Sequence, residues 1–450
     1  MTNHYRLTNK EKVCYGLGDC GAAIFSTLFS SFSTAYYTDT VGIAVAAVGT
    51  MAFISEIINA FTDLIMGGVI DKTKSKYGKA RPWILWTAPF MAVGGFLMFN
   101  VPAGLSDKQN LIYAYLSFLL MNCVIYTANN VPYHAMLSRM TLNPQDRIST
   151  SSLRTIMTSV AGLIVTVMAT TLRENLGWSG LTIIFGILEI ILFSICFFGC
   201  KEHVGIETTG SEKAETVPLR VALPALFKNK YFYIQLLSFA TFYMILASRN
   251  STALYYCNVI LKNPAMMGVF STISTIVMIL TNLATPKLSE MYGKRKVMVA
   301  GCVILCAGQL LLGLANTSVT LVILGQILVG VGSGPIASGI FARTSDVVDY
   351  GEWKYGVRSD GLISSCASFG MKAGAGFGVA LGTKILSAGG YDGMAAVQSA
   401  AATMSIRVAF GYLGFVLSIL ALLCLLAMNL DKYLPTIQHD LENRKNVAKA

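Results

Sequence analysis

Charge is what this sequence is short of. Asp, Glu, Lys and Arg make up only 13% of its 450 residues, where a soluble globular chain carries roughly a quarter. With 54% hydrophobic residues, too little polar surface is left to cover a water-exposed fold, and the chain reads as a membrane protein. The patterns of catalysis are missing too: no nucleophile and base pair, no phosphate-binding loop and no metal-ligand spacing occur. The ten cysteines include Cys123, Cys196, Cys302 and Cys366, which fall inside apolar runs as small membrane-buried residues. An enzyme, a structural metal and a cofactor are therefore not expected. No separate cleavable apolar region precedes the first long run, so the stretch from Val13 onward reads as a full span rather than a signal peptide.

What is present is apolar sequence in long runs. A helix needs about 20 apolar residues to cross a bilayer core. Twelve runs of that kind start near Val13, Ile43, Trp83, Leu111, Leu153, Leu181, Tyr231, Ala265, Val297, Leu321, Gly361 and Val408. The expected fold is thus an all-α membrane protein of twelve transmembrane helices. The net charge of +11 would point to nucleic acid in a soluble chain, but the basic residues gather in alternate loops. Placing the amino terminus inside puts 72–81, 201–230, 287–296, 343–358 and 432–449 inside as well. It leaves only Lys108, Arg173, Lys262, Lys384 and Arg407 outside. The positive-inside rule then gives two cytoplasmic termini in a multi-pass protein of the cell (inner) membrane.

The charged stretch 201–230 splits the spans six and six, which predicts a six-helix bundle over 1–200, a central cytoplasmic loop, a second bundle over 231–430 and a tail over 431–450. The halves also align. Tyr36 and Tyr37 match Tyr255 and Tyr256, Gly49 matches Gly268, Thr62 and Asp63 match Thr281 and Asn282, and Asp71 matches Glu290, all at one offset. Parallel six-helix repeats are a transporter architecture, with the substrate site near the midplane between them, and they predict alternating access.

An ionisable side chain at the bilayer centre costs at least about 2.5–3.5 kcal/mol, so each one requires a partner, a wet cavity or a task. Asp19, Glu56, Asp63, Arg249 and Lys372 are such residues. Glu189, alone in a Leu/Ile/Phe run, is a sixth that fits a structural hydrogen bond as well as a functional role. Glu56, Asn59 and Asp63 follow an i, i+3, i+7 spacing that sets them on one helical face, with Thr62 beside them. Oxygen ligands there suit a hard cation, and a carboxylate drawn out of water takes up a proton more readily. Lys372 stands about 18 Å into its span at 1.5 Å per residue, among Gly370, Ala373, Gly374 and Gly376, which let helices approach closely.

Two segments carry a family resemblance. Residues 346–358, DVVDYGEWKYGVR, and the stretch NAFTDLIMGGVIDKTKSKYGKARPWIL around Asp63 resemble the glycoside-pentoside-hexuronide:cation symporters of the major facilitator superfamily, whose members include the melibiose transporter. The resemblance covers essentially the whole chain and places 346–358 in the loop between the tenth and eleventh spans. It implies secondary active sugar symport and no enzymatic activity. The cation-coupling positions it implies are Asn59, Thr62, Asp63, Thr127 and Lys372. Asn59 replaces one of the family's two acids, which favours H+ over Na+ as the coupling cation. Lys372 is expected to neutralise Asp63 when no cation is bound. Sugars are held by planar polar groups and aromatic faces, and the implied sugar-binding residues are Asn130, His134 and Arg154, joined by Asp19 and Arg249. The Lys-Asp pair that the melibiose transporter uses on the first span falls on Ala22 and Ala23, its second sugar acid matches Asn130, and Asp19 lies one turn from Ala23. Loss of acid with gain of Arg249 suits an acidic sugar, whereas an arginine near a helix end can also extend to the interface.

The loops after the second and eighth spans, dense in Lys, Arg, Gly and one acid, resemble the segments that brace the superfamily's cytoplasmic gate. The implied gate residues are Asp71, Lys79, Arg81, Asp346, Asp349, Tyr350, Glu352 and Arg358. The partners implied are a small-molecule sugar and the lipid bilayer, without nucleic acid, around a monomer. An uncoupled sugar facilitator and a non-transporting membrane sugar sensor are the alternative readings.

Overall fold

A computed structural model describes residues 6–141, 143–203, 224, 227–356, 360–395, 397–434, 436–437 and 439–441. They form helices, with no strand among the described residues. In order these are α1 (Asn9–Ser31), α2 (Val45–Lys72), α3 (Arg81–Met98), α4 (Asp107–Leu119), α5 (Thr127–Met140), α6 (Pro144–Gly199), α7 (Lys230–Tyr255), α8 (Met266–Tyr292), α9 (Lys294–Leu314), α10 (Val319–Tyr355), α11 (Asp360–Ala388), α12 (Ala400–Arg407) and α13 (Leu413–Ala427). Helical main chain satisfies its own hydrogen bonds, which hydrocarbon cannot do for it. Large apolar side chains such as Phe61, Ile65, Phe90, Leu283 and Phe198 stand exposed. Water would penalise such a surface, and lipid matches it.

Nine helices among the described residues are long and apolar enough to cross a membrane. One of them, α6, has 56 residues, about 84 Å at 1.5 Å per residue and nearly three times a hydrocarbon core. It bends at Gly177, whose φ of 68° is one a side chain would resist, so it supplies two of the expected runs. Helices α4 and α5 are joined by a π-helical turn, Leu120–Tyr126, into one continuous rod. The sequence repeat has a backbone counterpart. Five-residue π turns begin at Tyr36 and at Tyr256, one residue beyond the partner of Tyr36 in the repeat.

The chain divides into two compact units. The first comprises Met1–Glu212 with Ala253–Val269 and Gly390–Ala402, and the second comprises Lys213–Thr252, Phe270–Gly389 and Thr403–Ala450. In the first, α1 starts in a capping box: Thr8 Oγ1 accepts from Glu11 N at 3.2 Å, and Thr8 N donates to Glu11 Oε2 at 2.9 Å. Lys12 Nζ lies 2.8 Å from Asp146 Oδ1, tying α1 to the start of α6. At the other end of α1, Thr38 Oγ1 and Tyr255 Oη hydrogen-bond at 2.7 Å, and Tyr391 Oη donates to Asp39 Oδ1 at 2.9 Å.

In the second unit α11 packs on α7 through a stripe of glycines. A Cβ on Gly374 or Gly378 would meet the carbonyl oxygens of Ala240 and Met244, and one on Gly370 or Gly382 would meet Leu236 and Thr252. The two main chains approach as closely as small residues permit. Residues 346–355 are not part of the loop in which the resemblance places them. Asp346 to Tyr355 is the last part of α10, and Gly356 ends the helix in the left-handed conformation, φ 69°. Apart from Gly351 this stretch has no helix breaker, so the helix runs on after its apolar character stops.

Candidate functional site in the first unit

Two members of the i, i+3, i+7 face of α2, Asn59 and Asp63, meet Thr127. Thr127, at the start of α5, donates its hydroxyl to Asn59 Oδ1 at 2.8 Å and lies 3.4 Å from Asp63 Oδ1. Asn59 and Thr127 are buried and Asp63 is half-buried. Thr62 Oγ1 bonds back to the carbonyl of Asn59 at 3.2 Å, so its oxygen serves the helix rather than the cluster. One amide oxygen, one hydroxyl and one carboxylate thus converge between α2 and α5.

A second group adjoins it. Arg154 on α6 places Nη1 2.7 Å from His134 Nδ1 and 3.7 Å from Asp19 Oδ2, and Thr158 Oγ1 donates to the same Asp19 oxygen at 2.6 Å. A guanidinium only donates, so His134 Nδ1 accepts here, and the ring is neutral with its proton on Nε2. His134 is exposed, while the side chains of Arg154 and Asp19 retain 21% and 11% of their surface. Tyr126, on the π turn before α5, accepts from Asn130 Nδ2 at 3.4 Å and packs edge-on against Phe29 of α1 at 5.8 Å. Below the site Tyr15 and Tyr133 stack at 4.6 Å and each donates to the other's carbonyl oxygen, at 3.3 and 2.6 Å, which locks α1 against α5. Tyr126 and Thr158 were not picked out by sequence, since a tyrosine or threonine within a span is unremarkable.

Arg249 belongs to the second unit. Helix α7 continues through its π turn to Ile260, which puts Arg249 eleven residues from the end, about 16 Å. Its Nη1 donates to Gln326 Oε1 on α10 at 3.2 Å, and no carboxylate among the described residues pairs with it. The guanidinium is engaged inside the helix bundle rather than at the interface. Lys372 is half-buried on α11, twelve residues from its start. Glu189 on α6 is fully buried, and neither carboxylate oxygen has a hydrogen-bond partner among the described residues.

Of the gate residues, Lys79 and Arg81 are held by a residue that sequence did not single out. The Glu202 carboxylate accepts the backbone N–H groups of Lys79, Ala80 and Arg81 at 3.1, 2.9 and 2.8 Å, which caps α3. Arg81 Nε also reaches the carbonyl of Phe197 at 2.7 Å. In the second unit Asp346 lies 3.7 Å from Lys294, the buried Tyr350 packs edge-on against Tyr231 at 4.8 Å, and Asp349 and Glu352 are half-buried beside it. The Asp71 side chain and Arg358 lie outside the described residues.

Across residues 14–432 the sequence matches the family model described as MFS/sugar transport protein. The chain belongs to that family. The transporter is 32% identical to the isoprimeverose transporter of Lactiplantibacillus pentosus, over 96% of this chain and 91% of that one. It is 29% identical to an inner membrane symporter of Escherichia coli (strain K12), over 90% and 87% of the two chains. Among solved structures, a point mutant of a nucleoside transporter superimposes with a TM-score of 0.68 at 16% identity, covering 92% of this chain and all of that one. The fold is that of the major facilitator superfamily, and the protein is a membrane sugar symporter rather than an enzyme.

Proposed function

We propose that the transporter couples entry of a glycoside, pentoside or hexuronide to a proton taken by Asp63, by alternating access of a twelve-helix monomer with both termini in the cytoplasm. The observation that carries this reading is the Thr127 hydroxyl set against both Asn59 and Asp63. It supports a coupling site built at these positions, with an amide where a second anionic ligand would sit. A sodium ion needs several oxygen ligands in a cage, whereas protonating one carboxylate needs none. The sugar would be held by Asn130, His134, Arg154 and Asp19, with Tyr126 holding the Asn130 amide. Arg249, partnered by an amide and not a carboxylate, supports an anionic substituent on the sugar. Lys372 enters from the sequence resemblance, as the cation that offsets the coupling carboxylate.

Sugar uptake into vesicles at fixed membrane potential, with sodium and pH varied independently, tests the proposal. Accumulation that follows the pH gradient and ignores sodium is expected. Strong sodium stimulation without response to a proton gradient would mean that Asn59 and Thr127 complete a sodium site. Exchange without accumulation under either gradient identifies a facilitator, and no sugar movement at all identifies a sensor.

A further inference from the structure

The signature at the end of α10 has a feature that gate bracing leaves unused. Tyr350, Trp353 and Lys354 wall a cavity of about 600 Å³ in the second unit, with Lys230 and Tyr231 at the start of α7 and Tyr433 and Asp440 from the tail. That volume is in the range of small-molecule sites. Four of the seven residues are aromatic. The two ammonium groups rest on rings instead of carboxylates: Lys230 Nζ lies 5.0 Å from the Tyr231 ring centre, and Lys354 Nζ lies 5.5 Å from that of Tyr350 and 3.0 Å from its hydroxyl. The one carboxylate of the wall, Asp440, is occupied by the indole N–H of Trp353 at 2.8 Å and faces His439 at 3.8 Å. The wall thus offers two ammonium charges, held apart from acids among the described residues, beside the accessible rings of Trp353 and Tyr433, with Tyr231 and Tyr350 buried behind the lysines.

We infer that this cavity binds a soluble phosphate ester carrying a ring, with the ammonium groups of Lys230 and Lys354 on the phosphate and the aromatic walls on the ring. Lysine is a point-charge ligand for phosphate, and aromatic faces take either a base or the C–H face of a sugar. The position favours a soluble ligand over a lipid headgroup. Tyr350 is 31 residues along α10 from Val319, about 46 Å, which carries it beyond a hydrocarbon core of about 30 Å. Tyr231 and Tyr350 are covered by protein, at 2% and 5% exposure. The tail that closes the cavity lies beyond the last apolar helix. A ligand here would bind the tail to α10 and α7 together and so act on transport without entering the sugar path.

Trp353 supplies the readout. The full-length transporter in nanodiscs of neutral lipid is titrated with a nucleoside monophosphate, a hexose 6-phosphate and inorganic phosphate while tryptophan fluorescence is recorded. One of the two esters is expected to change the emission saturably, at a concentration at least tenfold below inorganic phosphate, and which one responds separates a base from a pyranose. Trp353→Phe should remove the signal. Lys230→Gln with Lys354→Gln should weaken binding at least tenfold while leaving sugar exchange measurable, which shows that the variant is folded. Equal responses to inorganic phosphate and both esters, a change only when anionic lipid is added, or no change with any ligand would each overturn the inference.

Discussion

A carboxylate within a span is conspicuous to a reader of sequence, and its hydrogen-bond partners are not. Asp19, Asn59, Asp63 and Arg154 stand out because charge and amide are costly in lipid. Thr158, which holds Asp19, and Tyr126, which holds Asn130, are visible only once α1, α5 and α6 are placed. Asp63→Asn should abolish accumulation of sugar against a gradient while sparing exchange, because it removes the one carboxylate on the Thr127 cluster; unchanged accumulation refutes the coupling role. Restoring an acid with Asn59→Asp should raise sodium dependence of uptake, read as stimulation by sodium at constant pH. Arg154→Ala leaves Asp19 without its cation and His134 without its donor. Sugar affinity should fall at least tenfold with normal membrane insertion, and binding equal to wild type would reduce Arg154 to a structural charge.

Secondary structure itself was legible wherever hydropathy lasts about 20 residues, and it misled where hydropathy stops before the helix does. Residues 346–355 are charged and aromatic and the resemblance places them in a loop, yet intrahelical hydrogen bonds do not need apolar side chains, and α10 continues. Glu202 was similarly hidden within a charged run, since a cap is recognised by the N–H groups it meets. Glu202→Ala should lower the stability of the solubilised protein by about 1.5–3 kcal/mol, the range for hydrogen bonds to a charged group. A thermal melt checks this, with Glu202→Gln expected in between. Helix contacts give a sharper contrast. Gly374→Leu places a side chain against the Ala240 carbonyl and should abolish folded protein, whereas Gly68→Ala, with nothing within 4 Å, should express and transport normally, as measured by size-exclusion profile and uptake.

At the scale of the molecule, the expected repeat rests on paired tyrosines, a glycine and an acid that recur at one offset, and π turns begin at Tyr36 and Tyr256, within one residue of that offset. The assignment of Ala253–Val269 and Gly390–Ala402 to the first unit was not readable, because it depends on side chains far apart in sequence: Tyr255 on Thr38 and Tyr391 on Asp39. If these two bonds hold one end of the transport cycle, Tyr255→Phe with Tyr391→Phe should speed thiol labelling of a cysteine placed at the buried Ala35, and an unaltered rate excludes that role. The glycine stripe on α11 has a consequence for any such cycle. Its contacts with α7 recur every four residues, at Leu236, Ala240, Met244 and Ser248, so the interface is nearly the same after a displacement of four residues, about 6 Å. Two interlocked leucine surfaces would have to lift apart to make that step. The spacing of this seam is that of a rail with evenly spaced stops, at each of which a glycine leaves room for the facing main chain.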